Sequence, residues 1–422
     1  MSNDHQVEHV TCLGCGCGCD DVTVSVRENR IVDVGPVCPL GRDWFGDGQV
    51  PSDILSGGQS ASLEQALARI AMTLIDARGK CLVYLAADLT SQAQRAALAI
   101  ADLLRATVDC ATSETAANGL TAAQRRGRAG ATLGEIRNRG DVFLFWGVDT
   151  AANYPRFLTR YGPEPVGTHI PEGRRGRYLI SVSVGADRSL AEADLTIKLP
   201  REAEITALTL MRASVVGHQL PGSPLAAQSA EIAGRLARAR YAVLVHDAEP
   251  TAEQRNSLRA EALIALTQAL NGPTRAALCS LRAGGNRVGA ESALTSHTGY
   301  PFAADYSPGY PRYRPDRRGL AGLERGAFRA ALIVGSPPMD ESARNAFCKM
   351  SPAIIGPRAS QAPFTTTVAV DTGVAGIHEE GSAYRMDEVP LRLRASVTGP
   401  RSTVDVLHGL TQAIRAELAR AE

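Results

Sequence analysis

Short apolar runs alternate along the chain with segments that have helical spacing. The runs are rich in β-branched and aromatic residues and fall at 81–87, 142–148, 177–184, 241–247, 276–281, 330–336 and 353–357. Segments between them, such as 91–106 and 251–271, repeat Ala and Leu at helical intervals. Strands that alternate with helices predict parallel sheets built from right-handed βαβ units. Because seven such strands are more than one compact sheet would hold, we expect two α/β domains.

The first residues follow a different pattern. Apolar and polar positions alternate across 21–35, on both sides of the polar turn "RENR". This alternation predicts a β-hairpin. The segment "VCPLGRDWF" then brings Cys38 back towards the cysteines that precede the hairpin. We therefore predict a small cysteine-rich β module over residues 1–55.

Composition narrows the class of protein. The chain has 422 residues and a net charge of +1, so no global field favours nucleic acid or an anionic membrane. The start "MSNDHQVEHV" lacks the basic and apolar regions of a secretory signal. No apolar run approaches the length needed to span a bilayer. We expect a cytoplasmic protein with no nucleic-acid and no membrane partner.

Clustered cysteines are the main chemical feature of the sequence. Cys12, Cys15 and Cys19 have the spacing C-x2-C-x3-C, and Cys38 follows later. Four thiolates of this kind suit a 4Fe-4S cluster, whereas a zinc site more often has two C-x2-C pairs. In a reducing compartment such cysteines are more often ligands than disulfides. An empty reduced set and a disulfide staple remain alternatives, and Cys17 is a spare thiol.

Four segments resemble one known family in the family's order. They are "CLGCGCGCDD", "TLGEIRNRGDVFLFWGVDTAANYPRFLTRY" (132–161), "TGYPFAADYSPGYPRYRP" (298–315) and "VAGIHEEGSAYRMDEVPLRLR" (374–394). The chain resembles the B subunit of formylmethanofuran dehydrogenase, in the molybdopterin oxidoreductase superfamily. That family holds a 4Fe-4S cluster on its N-terminal cysteines. Two Rossmann-like domains hold a tungsten or molybdenum bis-pterin that reduces carbon dioxide to formate.

The resemblance also implies a domain arrangement. We expect a discontinuous α/β domain over 56–112 and 240–422, and an inserted α/β domain over 113–239. The C-terminal β-barrel domain of full-length oxidoreductases in the superfamily is expected to be absent. The surface that this barrel would cover is expected to need partner subunits.

Two departures from the family pattern fall in its redox site. The family's metal ligand is a Cys followed by His-Gly, but residues 114–118 are Glu-Thr-Ala-Ala-Asn, and neither Ala nor Thr supplies a soft ligand. Cys110 precedes the expected position, and we expect it to be buried. The family's Arg-Gly-His before Asn is reduced to Arg282 and Asn286, with Ala283 and Gly284 between them. We therefore expect molybdopterin and tungstopterin to be absent, and the cysteines to hold either a 4Fe-4S cluster or the vestige of its site.

These losses make the chain similar to the B subunit of the formyltransferase/hydrolase complex of methylotrophic bacteria. That complex converts formyl-tetrahydromethanopterin to formate through a methanofuran-like cofactor. A zinc hydrolase subunit, a formyltransferase subunit and a C subunit would be the partners. No catalytic residue is then expected in this chain. The alternatives are a working formylmethanofuran dehydrogenase subunit with intact metallopterin, and a free-standing iron–sulfur or zinc protein.

Basic residues supply the other candidates for cofactor binding. The candidates are the basic residues Arg125, Arg126, Arg282, Arg317 and Arg318, together with the amide of Asn286. The resemblance implies that such arginines bind the pyrophosphates of a pterin cofactor or the polyglutamate tail of a methanofuran-like cofactor. The knot "RRGR" at 174–177 is expected to be solvated, and the loop 298–315 to be an interface segment. Glu379 and Glu380 point to opposite faces of a strand and are given no catalytic role.

Overall fold

The computed structural model describes residues 4–249, 257–317, 319–337 and 341–421. The chain divides into two compact units. The first unit is Met1–Glu114 with Gly284–Glu422, and the second is Thr115–Ala283. The second unit is therefore inserted into the first along the chain.

Strands and helices are numbered in chain order through both units. The strands of the first unit are β1 (His5–Val10), β2 (Val22–Arg27), β3 (Arg30–Gly35), β4 (Ile54–Ser56), β5 (Gln59–Ser60), β6 (Cys81–Leu85), β7 (Thr107–Cys110), β13 (Ala304–Asp305), β14 (Arg312–Tyr313), β15 (Ala330–Val334), β16 (Ala353–Gly356), β17 (Val368–Asp371), β18 (Gly381–Tyr384) and β19 (Pro390–Leu393). Its helices are α1 (Pro39–Phe45), α2 (Leu63–Asp76), α3 (Ser91–Leu103), α4 (Thr112–Thr115), α12 (Arg287–Thr298), α13 (Gly319–Glu324), α14 (Glu341–Cys348) and α15 (Thr403–Ala421).

The main sheet of the first unit is parallel at its centre. Within the described residues its order is β14-β13-β7-β6-β15-β16-β17-β4-β5. The strands from β7 to β17 pair in parallel, and the pairs outside them are antiparallel. Strands β6 and β15 are buried along their whole length, as expected for parallel strands covered on both faces. Helix α15 packs against α2 and α3.

The predicted hairpin near the N-terminus is confirmed. Strands β2 and β3 pair antiparallel, and β1 pairs with the other edge of β2. Glu28 and Asn29 both have positive φ, as in the type I′ turns that suit a two-residue hairpin loop. This small sheet belongs to the first unit together with the larger sheet.

The second unit is built on a parallel sheet. Its strands are β8 (Val142–Trp146), β9 (Tyr178–Val184), β10 (Leu195–Leu199), β11 (Ala242–Asp247) and β12 (Ala276–Leu281), and its helices are α5 (Ala117–Arg126), α6 (Leu133–Arg139), α7 (Thr150–Asn153), α8 (Phe157–Arg160), α9 (Glu204–Val215), α10 (Pro224–Ala237) and α11 (Ser257–Leu270). In the described part of the chain the strand order is β10-β9-β8-β11-β12, with every pair parallel.

The boundary of the inserted unit differs from the sequence expectation. The unit continues to Ala283, whereas the inserted domain was expected to end at 239. The physical reason is that β11 pairs with β8 and carries β12 on its other edge. Both strands therefore belong to the inserted sheet.

The α/β fold class is confirmed, with two parallel sheets. Each of the apolar runs predicted as strands contains an observed strand, and α3 lies within 91–106. Helix α11 falls in the segment 251–271, of which 251–256 lies outside the described residues. Within the ranges that the structure describes, no helix has the length and apolar character needed to cross a bilayer.

Candidate functional site

Open parallel sheets bind ligands where the chain direction across the sheet reverses, at the carboxyl ends of the strands. In the first unit this switch point lies between β6 and β15, because β7 lies on the other side of β6. Asp88 follows β6, and its Oδ1 accepts a hydrogen bond from the Ser336 amide at 3.0 Å. Its Oδ2 accepts the Ser336 hydroxyl. Gly335, which immediately precedes Ser336, has φ +102°. A Cβ at this position would lie 2.6 Å from the Ala86 Cβ.

The cysteine loop, residues 12–19, lies beside this switch point. The Leu13 carbonyl accepts a hydrogen bond from the Gly285 amide at 2.8 Å, and the Ala87 carbonyl accepts one from the Asn286 amide at 2.6 Å. Gly285 has φ +88°, and a Cβ there would lie 2.4 Å from the Ala87 oxygen. A glycine is therefore required where the chain passes between the cysteine loop and the end of β6.

Three of the four predicted metal ligands are buried in the cysteine loop. Cys12, Cys15 and Cys19 are buried, and Cys38 is partly exposed. The Cys12 amide donates to the Cys19 carbonyl at 2.8 Å and closes the loop. The Gly14 amide donates to the Cys12 Sγ at 3.4 Å. Cys38 is the residue before α1, and the α1 residue Gly41 packs so tightly that a Cβ would lie 2.9 Å from the Cys12 Sγ.

Burial, with smaller contributions from the charges of Cys19, Cys15 and Cys38, raises the pKa of the Cys12 thiol to about 12. The donor chemistry suits a metal or an iron–sulfur cluster. However, within residues 4–249 and the other described ranges, no three His, Cys, Asp or Glu side chains are grouped so as to hold a metal ion. Cys17 is also buried.

Asn286, predicted to bind cofactor, is fully buried and saturated with hydrogen bonds. Its Nδ2 donates to the Leu89 carbonyl at 3.0 Å and to the Ser91 Oγ at 3.1 Å. Its Oδ1 accepts the Tyr384 amide at 2.8 Å. The side chain therefore ties the β6–α3 loop to β18, and its amide is directed at protein groups.

In the second unit the switch point lies between β8 and β11. Asp247 ends β11, and its Oδ1 accepts hydrogen bonds from the Tyr154 hydroxyl at 3.2 Å and the Glu249 amide at 2.8 Å. Burial raises the pKa of Asp247. Glu249 accepts the Thr115 hydroxyl at 2.7 Å and the Arg282 Nε at 2.6 Å. Arg282 is thus engaged in a buried ion pair.

The segment without the family's metal ligand is largely helical and contains two buried alanines. Thr115 ends α4, its hydroxyl is engaged by Glu249, and Ala116 and Ala117 are buried. Cys110 is buried as expected, and burial raises its pKa far above the usual range.

Three of the remaining predicted arginines are paired with carboxylates. Arg126 lies 2.7 Å and Arg125 4.0 Å from Glu261. Arg317 lies 3.3 Å from Asp305. Arg318 lies outside the described residues. The structure thus brings Arg125 and Arg126 together at the end of α5, and Arg317 lies in the first unit, apart from them along the chain.

Sequence reasoning missed several buried charged residues. Arg259 pairs with Asp187 at 2.8 Å and with Glu204, all three almost inaccessible. The Trp146 Nε1 donates to the same Glu204 at 2.9 Å. Arg177, expected to be solvated, is 5% exposed. Its guanidinium donates to main-chain carbonyls instead of facing water. No sequence signal separates these residues from surface charges.

The two units, each with a parallel sheet and a switch point, define a protein of the α/β class with one domain inserted into the other. No protein-family model matches the chain.

Comparison with known proteins supports the resemblance seen in the sequence. The B subunit of tungsten-containing formylmethanofuran dehydrogenase 2 from Methanocaldococcus jannaschii is 28% identical over 415 residues, covering 94% of this chain and 95% of that protein. Its counterpart of the same name from Methanococcus maripaludis is 26% identical over 410 residues, covering 93% and 94%. The resemblance to this family is therefore confirmed over most of the chain.

A solved structure is also similar to the chain. It is a chain of the formyltransferase/hydrolase complex (FhcABCD) from Methylorubrum extorquens, crystallised with methylofuran. The TM-score is 0.72 at 23% identity, and the match covers 86% of this chain and 99% of that chain. The two proteins share a fold.

Proposed function

We propose that the chain is a non-redox structural subunit of a cytoplasmic formyltransferase/hydrolase complex. The complex would convert formyl-tetrahydromethanopterin to formate through a methanofuran-like cofactor. The similarity to a chain of such a complex over 99% of that chain's length supports the proposal. In this proposal the two units are Rossmann-like domains of the molybdopterin-oxidoreductase type, residues 1–55 are the cysteine-bearing module, and molybdopterin and tungstopterin are absent.

One observation carries the non-redox assignment. Where the dehydrogenase family would supply a cysteine to its metal, the chain has Thr115, Ala116 and Ala117. The two alanines are buried without a polar group, and the threonine hydroxyl donates to Glu249. A soft metal needs a soft or strongly donating ligand, and this segment provides none. The chain's part in catalysis is then to support partner subunits.

The proposed partners are a zinc hydrolase subunit, a formyltransferase subunit and a C subunit. Arg125, Arg126, Arg282, Asn286, Arg317 and Arg318 remain candidates for holding a cofactor tail. Arg125 and Arg126 are the strongest of these, because both are exposed at the end of α5 and share one carboxylate, Glu261. A polyanionic tail would displace Glu261, and its binding would weaken with added salt.

The test is to purify the assembly through a tag on this chain and to run two assays. Formate release from formyl-tetrahydromethanopterin, without any electron acceptor and without tungsten or molybdenum in the assembly, is the expected result. Viologen-dependent formylmethanofuran oxidation with stoichiometric tungsten or molybdenum would replace the proposal with the dehydrogenase alternative, which the 28% identity to a tungsten-containing enzyme favours. A chain that purifies alone and monodisperse, with neither activity, would contradict both.

Iron in the same preparation tests the cysteine set. Cys12, Cys15, Cys19 and Cys38 are proposed as the residues that would hold a 4Fe-4S cluster, if the loop closes around one. Iron near four per chain after anaerobic purification would support that role. Iron absent from the anaerobic complex would identify the set as a vestige kept by its packing.

A further inference from the structure

The second unit has a pocket of about 590 Å³ at the amino ends of its strands. Arg240 and Tyr241 immediately precede β11, and Arg275 immediately precedes β12. Arg139 reaches the same pocket from the last turn of α6, and His169 also lines it. The switch point of this sheet lies at the opposite, carboxyl ends of the strands. The pocket is therefore separate from the site described above.

The charges that line this pocket do not cancel. Arg240 pairs with Asp141 at 3.4 Å. Among the residues that the structure describes, Arg139 and Arg275 form no ion pair with a carboxylate, and both are exposed. Glu135 is the acidic residue in the lining. Arg139 and Arg275 therefore line the pocket outside any ion pair of the described residues, and with a single glutamate beside them the lining carries a net positive charge.

Tyr241 lies near Glu135, the acidic residue of the lining. Burial, with the charge of the Glu135 carboxylate, raises the pKa of Tyr241. Arg139 and Arg275 act on the same hydroxyl with the opposite sign, so both guanidinium groups lie near it. One glutamate cannot balance the arginines of the lining, so positive charge remains available to an anionic ligand.

We propose that this pocket binds a small multivalent oxyanion, a ligand that carries phosphate or carboxylate groups. Arg139 and Arg275 would each donate in the forked geometry that matches such groups. Asn271, which also lines the pocket, has its side chain engaged by the Ala276 main chain and positions the start of β12. The site adds a binding function to the second unit that is independent of formyl chemistry.

Calorimetric titration of the full chain tests the proposal. Pyrophosphate and tricarballylate are titrated separately, at an ionic strength held constant with sodium chloride. Saturable one-to-one binding of at least one anion is expected. A higher affinity for pyrophosphate would indicate a phosphate ligand, and a higher affinity for tricarballylate would indicate a carboxylate ligand. Arg139→Gln with Arg275→Gln should weaken that binding at least tenfold. Absence of saturable binding of both anions would overturn the proposal.

Two further variants separate the site from general charge effects. Arg201→Gln with Arg212→Gln removes the same charge from exposed positions of the second unit and should leave the affinity within twofold. An equal loss in this control would overturn the proposal. Glu135→Gln keeps every arginine but removes the acidic side chain of the lining, so stronger binding is expected. Unchanged or weaker binding in Glu135→Gln would contradict binding of an anion beside this residue. Thermal melts without ligand confirm that each variant is folded.

Discussion

The Arg282 guanidinium and the Glu249 carboxylate form a buried ion pair, with the Arg282 Nε 2.6 Å from the Glu249 Oε1. Glu249 also accepts a hydrogen bond from the Thr115 hydroxyl. The pair therefore joins the loop after β11 to the end of β12 and to Thr115. An arginine held in this way stabilises the strand ends. This engagement is why the residue does not have the geometry of a free pyrophosphate clamp.

Removing one partner of this pair should destabilise the second unit strongly. Arg282→Met leaves the Glu249 carboxylate buried without its cation, which costs about 3–5 kcal/mol in comparable buried pairs. Arg282→Met combined with Glu249→Met should recover most of that loss, because no buried charge then remains. Urea unfolding of the purified variants, followed by tryptophan fluorescence and circular dichroism, measures both effects.

The matched comparison is Arg126→Met, which breaks the exposed pair with Glu261. Exposed pairs contribute about 0–1 kcal/mol, so the free energy of unfolding of this variant should be close to that of the wild type. A cost for Arg282→Met no larger than that for Arg126→Met would show that the buried pair is not a structural element.

Arg177 should contribute as much to the free energy of unfolding as the Arg282–Glu249 pair does, although none of the described residues pairs it with a carboxylate. Its guanidinium donates to the carbonyls of Gly140, Pro163 and Arg137 at 2.9, 2.8 and 2.6 Å. Burial lowers the pKa of the group. Arg177→Met leaves several buried carbonyls without donors, at about 1–3 kcal/mol for each unsatisfied group, and we expect a loss of about 3 kcal/mol or more in urea unfolding.

Arg177→Lys distinguishes charge from geometry at this position. Lysine keeps the cation but cannot reach carbonyls in several directions at once, so it should recover less than half of the loss. The neighbouring Arg175 is exposed, and Arg175→Met should change stability by less than about 0.5 kcal/mol. Full recovery by lysine would indicate that the fork geometry is unimportant.

The comparison of sequence with structure separates two kinds of feature. Strands such as β6 and β15 are continuous apolar runs that could be located from the sequence, because parallel strands are buried on both faces. Strand β7 is not among the apolar runs, since it has only four residues and includes Asp109. Strand β10 was missed because it alternates buried and exposed positions at a sheet edge.

The roles of individual polar residues were harder to predict. The arginines at 174–177 look alike in the sequence, and only the fold brings the carbonyls of residues 137, 140 and 163 around one of them. Asn286 was recognised from the family pattern, but its hydrogen bonds come from the loop after β6 and from β18. Such long-range pairings leave no local trace. The pairing of β11 with β8, which places β11 in the second unit, likewise has no local signal near residue 239.

Thiol reactivity should differ sharply between the cysteine loop and the surface. With its pKa raised to about 12 by burial, the Cys12 thiol is ionised to roughly one part in ten thousand at pH 8, and only the thiolate reacts. Cys348 is exposed. Brief iodoacetamide labelling of the metal-free, reduced chain should therefore modify Cys348 and leave Cys12 unmodified in a mass-spectrometric peptide map.

Cys348→Ser provides the control for this experiment and should remove the fast label. Labelling in urea should expose Cys12 and the other loop cysteines together. If Cys12 in the folded chain reacted as fast as Cys348, the loop would be open in solution and its packing under Gly41 would be contradicted.

His246 should make stability depend on pH in a defined window. Its Nε2 lies 2.9 Å from the Ser280 Oγ, and burial, with the charges of Arg259 and Arg128, lowers its pKa to about 3 from 6.5. Between these two values the unfolded chain binds a proton that the folded chain excludes, so the group's contribution to stability is lost as pH falls from 6.5 towards 3. The slope approaches about 1.4 kcal/mol per pH unit.

Urea unfolding at a series of pH values from about 7 down to about 4.5, where the slope of one proton develops, measures this effect against His246→Gln. The variant cannot take up the proton, so its stability should fall less steeply below about pH 6 than that of the wild type, by about one bound proton. Other acids titrate equally in both proteins and cancel in the difference. Parallel curves for the two proteins would mean that His246 is protonated as easily in the folded chain as in the unfolded one, and that its buried bond to Ser280 does not persist in solution.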